Sequence, residues 1–330
     1  MSTGTSPVPQ IAGNTLLLSE LRQMKQNDHL PHALLLHGEQ GCGKKEIAEW
    51  FAMLVLCERK AEAPCGTCRS CRLVRSHAHP DVTIAEHSGK RGGFSVETVR
   101  EIRSEAAILP NSADMRIFMF LDADGMSIQA QNALLKSVEE PPAHACFVFT
   151  AQVQGVLLPT LLSRMTAKAV FPASRGECIE ALIRRDFPED EVKTAAARFD
   201  GNIGRCIAYL TEPAVRESTD RTAALTAALA QQDEYRLLQL LTEAAADKEQ
   251  LRKTLGLLDL QIRDAALMTL DSGAVCMGCD RQSAEQLSGT LTPRRTARMH
   301  GAIAEAYADL DGNVGAVLTV TALCAALVNA

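Results

Sequence analysis

The sequence has few aromatic residues and no excess of basic ones. Phe, Trp and Tyr together make up 4% of the 330 residues, and 34 Lys and Arg stand against 40 Asp and Glu, which gives a formal net charge of −6. A negative net charge argues against a strongly basic nucleic-acid-binding protein, because neutralising phosphates requires clustered Lys and Arg. A local basic patch remains compatible with it.

Long hydrophobic runs and a targeting segment are also missing. No apolar run reaches 18 residues, so the sequence predicts no membrane span. The first ten residues lack a basic start followed by an apolar segment, and we therefore expect no secretory signal and a cytoplasmic location. Disulfides are rare in that reducing compartment, so the 11 cysteines need a different explanation.

Strands and helices alternate in the first half of the sequence. Short apolar runs predict five strands, over residues 33–37, 82–84, 117–121, 146–150 and 169–171. Segments with helical periodicity lie between them. This alternation predicts an α/β fold with a parallel sheet and helices on both faces.

After Pro172 only helical periodicity remains. Three short predicted helices fill residues 173–212, and Ala- and Leu-rich helical periodicity fills residues 213–330. We therefore expect an α/β domain over residues 1–172, a small helical domain over 173–212 and an all-helical domain over 213–330.

A glycine-rich loop follows the first predicted strand. The segment Gly-Glu-Gln-Gly-Cys-Gly-Lys-Lys, which begins at Gly38, fits the phosphate-binding pattern G-x-x-x-x-G-K-[S/T] except at its last position. Gly38, Gly41 and Gly43 would let backbone N–H groups surround a phosphate, and Lys44 would reach its terminal oxygens. Lys45 stands where a hydroxyl should hold Mg²⁺, and a cation repels that metal. The sequence leaves two interpretations open, binding of ATP or ADP and a loop retained for packing alone.

Four cysteines follow the next predicted helix within residues 57–71. Their spacing is C-x7-C-x2-C-x2-C, at Cys57, Cys65, Cys68 and Cys71. Four thiolates among polar neighbours predict a closed tetrahedral Zn²⁺ site with a structural role, since no position stays open for catalysis. An iron–sulfur cluster is the alternative.

These features occur in an order that resembles a known family. After the loop and the cysteines come the segments His-Pro-Asp at 79–81, Asn-Ala-Leu-Leu-Lys-Ser-Val-Glu-Glu-Pro-Pro at 132–142 and Leu-Ser-Arg at 162–164. The sequence is similar to bacterial clamp-loader subunits of DNA polymerase III, of the AAA+ class, over about residues 14–212. The resemblance implies an AAA+ type sheet, a small helical lid domain at 173–212 and a collar domain for oligomerisation at 213–330.

The resemblance also distinguishes between types of subunit. Aligned on Asn132, the Asp-Glu pair that serves Mg²⁺ in the family falls on Leu121 and Asp122. Loss of that Asp, together with Lys45, implies a stator that does not hydrolyse ATP and is itself no enzyme, but a component of the DNA polymerase III holoenzyme. The alternatives are an ATP-hydrolysing subunit of the tau/gamma type and a zinc-stabilised binding module whose phosphate loop is a relic.

The same resemblance implies roles for two arginines and a set of partners. Ser163-Arg164 implies an arginine finger that reaches the ATP of a neighbouring subunit, and an ordinary surface ion pair is the alternative. Arg205 falls in the region where the family places an arginine on its own nucleotide, and a structural role is the alternative there. The implied partners are the tau/gamma and delta subunits and, through the assembly, the sliding clamp and primed DNA.

Overall fold

The chain forms two compact units in the computed structural model, one ending at Ala173 and the next beginning at Ser174. The structure describes residues 8, 10–88, 93–271 and 276–330. The further division of the second unit at residue 212 stays a prediction.

The first unit contains a five-stranded sheet flanked by helices. The strands are β1 (Ala33–His37), β2 (Val82–Ile84), β3 (Arg116–Phe120), β4 (Ala145–Ala151) and β5 (Thr166–Ala169). The helices are α1 (Thr15–Gln26), α2 (Lys44–Leu56), α3 (Arg69–Arg75), α4 (Val96–Ala106), α5 (Ile128–Glu139) and α6 (Pro159–Leu162). All neighbouring strands run parallel, in the order β2-β3-β4-β1-β5. The predicted parallel α/β fold is confirmed.

Hydrophobic cores lie on both faces of this sheet. In β1, Leu34 and Leu36 belong to the core that includes Phe51 of α2, whereas Leu35 belongs to the core that includes Phe118. Successive side chains of a strand point to opposite faces, so β1 is buried on both sides. This double burial explains why β1 appears in the sequence as a continuous apolar run.

The fifth strand lies earlier than the sequence predicts. The apolar run 169–171 predicts it, but the structure places β5 at Thr166–Ala169. β5 pairs with β1 at the edge of the sheet, and its side chains are only half-buried, so it needs no apolar run. Val170 is buried beyond the strand end and donates its N–H to the carbonyl of His37 at 2.7 Å, while the Phe171 side chain is 61% exposed.

A short helix occupies the cysteine-rich insertion, for which the sequence shows no helical periodicity. α3 begins directly after Cys68, whose Sγ accepts the N–H of Cys71 at 3.4 Å. The helix buries Ser70, Cys71 and Val74. A helix of two turns that is capped by a cysteine leaves little trace in a hydrophobicity pattern.

The second unit is entirely helical among its described residues. Its helices are α7 (Arg175–Ile183), α8 (Glu189–Arg198), α9 (Ile203–Thr211), α10 (Pro213–Gln231), α11 (Glu234–Ala244), α12 (Lys248–Met268), α13 (Arg281–Ser288), α14 (Pro293–Asp311) and α15 (Ala316–Val328). One hydrophobic core includes Cys178 and Phe199, and another includes Leu241, Leu255 and Ile303. The helical fold predicted after Pro172 is confirmed.

A helix that crosses a bilayer needs about 20 consecutive, mostly apolar residues. Within the described part of the chain, none of the helices is sufficiently long and apolar to cross a membrane.

Candidate functional site

The glycine-rich loop lies between β1 and α2, and its glycines have local backbone reasons. A Cβ on Gly38 would lie 2.1 Å from the carbonyl oxygen of Val170, so only glycine fits there. Gly41 and Gly43 have φ angles of 84° and 93°, a region that side chains with a Cβ rarely adopt. The loop conformation and its packing against the end of β5 therefore account for these glycines.

Lys44 is buried and closes the loop on itself. Its ammonium group donates to the carbonyl of Gly38 at 2.8 Å and to the carbonyl of Glu39 at 2.7 Å. A lysine has three N–H donors, so one remains for a phosphate oxygen. This contact pattern is compatible with both interpretations of the loop.

The position that should serve Mg²⁺ is occupied by an exposed cation. Lys45 is the second residue of α2, and its side chain points to solvent. At the end of β3, Leu121 is buried and apolar, and the exposed Asp122 has a φ of 55° and donates its N–H to the hydroxyl of Thr150 at 2.7 Å. Neither Lys45 nor Leu121 can ligate a divalent cation.

The predicted metal ligands come together in the insertion. The ligand atoms of the four cysteines all lie within 4.8 Å of one another, at Cys57, Cys65, Cys68 and Cys71. Four sulfurs bound to one Zn²⁺ at about 2.3 Å are separated by about 3.8 Å, so this donor set fits a tetrahedral ion after small shifts. Backbone N–H groups approach the sulfurs: the N–H of Cys65 donates to Cys57 Sγ and the N–H of Cys68 to Cys65 Sγ, both at 3.4 Å.

Two thiols of the cluster have raised pKa values, and a third has a lowered pKa. Burial raises the pKa of Cys65, but the N–H of Cys68 and the hydroxyl of Thr67 outweigh it and lower the pKa to about 6. Burial raises the pKa values of Cys57 and Cys71. A positive ion is the natural means of stabilising four thiolates at such a place.

The segment after the insertion is anchored by a fully buried carboxylate. Asp81 accepts the backbone N–H groups of Asn111, Ser112 and Ala113 at 2.6 to 3.0 Å, together with the Ser112 hydroxyl at 2.9 Å. Burial raises the pKa of this carboxyl, but these hydrogen bonds outweigh it, so the pKa lies below its ordinary value. Asp81 thus joins the end of the insertion to the segment that precedes β3.

Arg164 lies at the surface and is already paired. The guanidinium Nη2 lies 2.5 Å from Oε1 of Glu139, and Nη1 donates to the carbonyl of Thr160 and the hydroxyl of Ser163, both at 2.9 Å. The ion pair that the sequence leaves as the alternative is therefore present, and the group remains 38% exposed.

In the second unit, Arg205 contacts the segment 276–279, in which two cysteines have the spacing C-x2-C. The Arg205 guanidinium donates to the backbone carbonyls of Cys276 and Gly278 and lies over the ring of Phe199, 4.8 Å from its centroid. Burial raises the pKa of Cys276 to about 11 and that of Cys279 to about 12, so both thiols stay protonated at neutral pH. These contacts give Arg205 a structural part in holding the loop.

Sequence reasoning missed Glu139 as the partner of Arg164 and Asp81 as a buried anchor. Both belong to segments that carry the family resemblance, at 132–142 and 79–81. Their charge, inside segments that carry the resemblance, is the feature of the sequence that could have marked them as candidates. Which group each one meets depends on the fold.

Known proteins match a substantial part of the chain. The family described as "DNA polymerase III, delta subunit" matches residues 13–172. The DNA polymerase III subunit delta′ of Pseudomonas aeruginosa is 31% identical over 174 residues, 52% of this chain and 53% of that protein. The subunit delta′ of Escherichia coli is 29% identical over 218 residues, 65% of each chain, and the gamma/tau subunit of Mycobacterium tuberculosis is 32% identical over 157 residues, 47% of this chain and 27% of that protein.

The match is partial in length. The chain spans about half the length of the Pseudomonas relative. A crystal structure of a gamma-subunit-related protein from Thermotoga maritima aligns with 94% of this chain and 98% of its own, at 15% identity and a TM-score of 0.40. The sequence matches confirm the predicted resemblance: residues 13–172 match the DNA polymerase III delta subunit family model, and the chain is similar to delta′ subunits of DNA polymerase III.

Proposed function

We propose that this chain is a stator subunit of a bacterial clamp loader, one that does not hydrolyse ATP with its own loop. In this proposal it assembles with tau/gamma and delta subunits in the cytoplasm and helps to load a sliding clamp onto primed DNA. The delta′ relatives and the order of the motifs support the assignment. The collar role of residues 213–330 is part of the same proposal.

The observation that carries the proposal is Lys45 at the start of α2. Its exposed ammonium group stands at the position where a phosphate-loop ATPase needs a metal-binding hydroxyl. Phosphoryl transfer depends on Mg²⁺ to neutralise charge on the β- and γ-phosphates. The buried Leu121 removes one of the two strand-end acids of the family, and only Asp122 keeps a carboxylate there.

The residues that remain have two separate uses. The four cysteines would hold a structural Zn²⁺, which supplies the cross-links that the polar insertion lacks. Arg164 would extend to the ATP of a neighbouring subunit and stabilise charge on the γ-phosphate as it is transferred. Titrating a fluorescent ATP or ADP analogue against the isolated chain tests whether the loop still binds nucleotide.

An ATP turnover experiment tests the proposal directly. The purified chain with ATP and Mg²⁺ should show background turnover, and Lys45→Thr should leave it at background because the strand-end acid is still absent. In an assembly reconstituted with the tau/gamma and delta subunits, Arg164→Ala should slow turnover at the neighbouring site while the chain still folds and assembles.

Each alternative makes a different prediction in that experiment. Sustained turnover by the chain alone would favour a tau/gamma-type ATPase, to which the gamma/tau relatives also point. Failure to bind any clamp-loader subunit would favour a zinc-stabilised binding module. Unchanged turnover in the Arg164→Ala assembly would remove the arginine finger from the proposal.

A further inference from the structure

The guanidinium of Arg164 is held by groups from two helical segments. Glu139, the last residue of α5, contacts Nη2 at 2.5 Å. The carbonyl of Thr160 in α6 and the hydroxyl of Ser163, which follows α6, each accept from Nη1 at 2.9 Å. The Ser163 hydroxyl itself donates to the carbonyl of Thr160 at 3.1 Å. A long flexible side chain is thereby fixed at its charged end.

These contacts leave part of the guanidinium available. A guanidinium has five N–H donors, and three of them are used by Glu139, Thr160 and Ser163. Two donors remain for an incoming anion, and the side chain keeps 38% of its surface exposed. A pre-arranged group loses less rotamer freedom when it meets a phosphate than a free one does.

We infer that Glu139 is a positioning residue that holds Arg164 in the orientation in which it meets the neighbouring subunit's ATP. This inference rests on the proposed role of Arg164. Glu139 touches no nucleotide in this inference and acts through the arginine.

A carboxylate beside a guanidinium has a second, opposite effect. It offsets part of the positive charge that Arg164 presents to a phosphate, and that effect alone would make removal of Glu139 accelerate turnover. Both side chains are exposed by about two fifths, so solvent weakens this opposition. The sign of the change in turnover therefore separates positioning from neutralisation.

The test is a set of variants in the reconstituted assembly with tau/gamma and delta subunits. Glu139→Ala should lower kcat for ATP about two- to five-fold with KM unchanged, the range that one exposed ion pair supports. Glu139→Gln keeps an acceptor oxygen at the same distance from the backbone, so it should lower kcat by a smaller factor than Glu139→Ala. Glu140→Ala is the matched control, because Glu140 is the adjacent exposed glutamate and has no ion pair among the described residues.

Two further measurements separate positioning from a general structural effect. The Arg164→Ala/Glu139→Ala double variant should turn over ATP no more slowly than Arg164→Ala alone, because Glu139 acts only through the arginine. In the isolated chain, an arginine-specific dicarbonyl reagent should modify Arg164 faster in Glu139→Ala than in the Glu140→Ala control. Thermal midpoints and assembly should be the same in the two single variants.

The outcomes distinguish failure of this inference from failure of the proposed function. If Arg164→Ala slows turnover and Glu139→Ala does not, the arginine finger stands and the positioning role is overturned. Faster turnover in Glu139→Ala overturns it as well, in favour of neutralisation. If Arg164→Ala itself has no effect, the finger falls and the positioning role falls with it.

Discussion

The two ends of α2 carry different sites: the phosphate loop lies at its beginning and the cysteine cluster at its end. At its beginning, the phosphate loop keeps its glycines and Lys44, but the metal-binding position is Lys45. At its end, Cys57 begins a set of four thiols that still converge. The helix between them is buried on almost every side, against α1, α3 and the sheet. The comparison shows that packing can account for the loop glycines although a cation stands at the metal-binding position, whereas the four thiols lie close enough together to hold a metal ion.

The largest expected effect comes from removing one ligand of the cluster. Cys68→Ser should abolish stoichiometric zinc and lower the free energy of unfolding by about 4 kcal/mol or more, the scale associated with loss of a metal site. Metal analysis and thermal unfolding measure the two effects. Cys42 lies in the phosphate loop, outside the cluster. Cys42→Ser is therefore the control and should retain about one zinc per chain. A Cys68→Ser protein that is metal-free like the wild type and equally stable would refute the site.

The next effect tests whether packing explains the loop at the other end of α2. Gly38→Ala should destabilise the protein by about 3 kcal/mol, because the new methyl group would overlap the carbonyl oxygen of Val170. Urea unfolding gives the value. Gly155→Ala is the control, since a Cβ there meets no atom within 4 Å. Equal stability of the two variants would mean that packing does not explain Gly38, and the comparison between the two ends of α2 would weaken.

The smallest of the three effects concerns the anchor behind the insertion. Asp81→Asn should cost about 2 kcal/mol at neutral pH, because buried N–H donors lose a charged acceptor. Since the pKa of Asp81 is lowered in the folded state, its contribution is complete above the ordinary carboxyl pKa and disappears as the pH falls through the folded value.

Urea midpoints measured between about pH 7 and pH 3 test that dependence. The difference between wild type and Asp81→Asn should shrink as the pH falls. Asp114→Asn is the matched control, because Asp114 is 85% exposed and makes only a surface ion pair with Lys60 among the described contacts. A difference that is independent of pH would contradict the role of the ionised carboxylate.

Sequence patterns located four of the five strands to within one residue at each end. β1 and β4 are buried on both faces, so their apolar runs mark them within one residue. The edge strand β5 was misplaced, because its half-buried residues Thr166–Ala169 have no such run and the adjacent Val170 does. The sequence did not predict α3, because the helix begins at the cap formed by Cys68 and has no hydrophobic stripe.

The candidate sites divide in the same way. The spacing of the cysteines was sufficient to predict their convergence, because three of them are three residues apart and the fourth lies only eight residues earlier. The contacts of Arg164 with Glu139 and of Arg205 with the loop at Cys276 and Gly278 link residues far apart in sequence. A pattern of neighbouring residues in the sequence cannot predict such contacts.

The sequence by itself determined the alternation of strands and helices in the first unit, the set of four thiols that could hold a metal ion and the absence of a hydroxyl at position 45, because these depend on residue type and local spacing. Only the tertiary structure decided that Gly38 is required by the carbonyl of Val170 and that Arg164 rests on Glu139. The physical reason is that both depend on distances between segments brought together by the burial of a shared core.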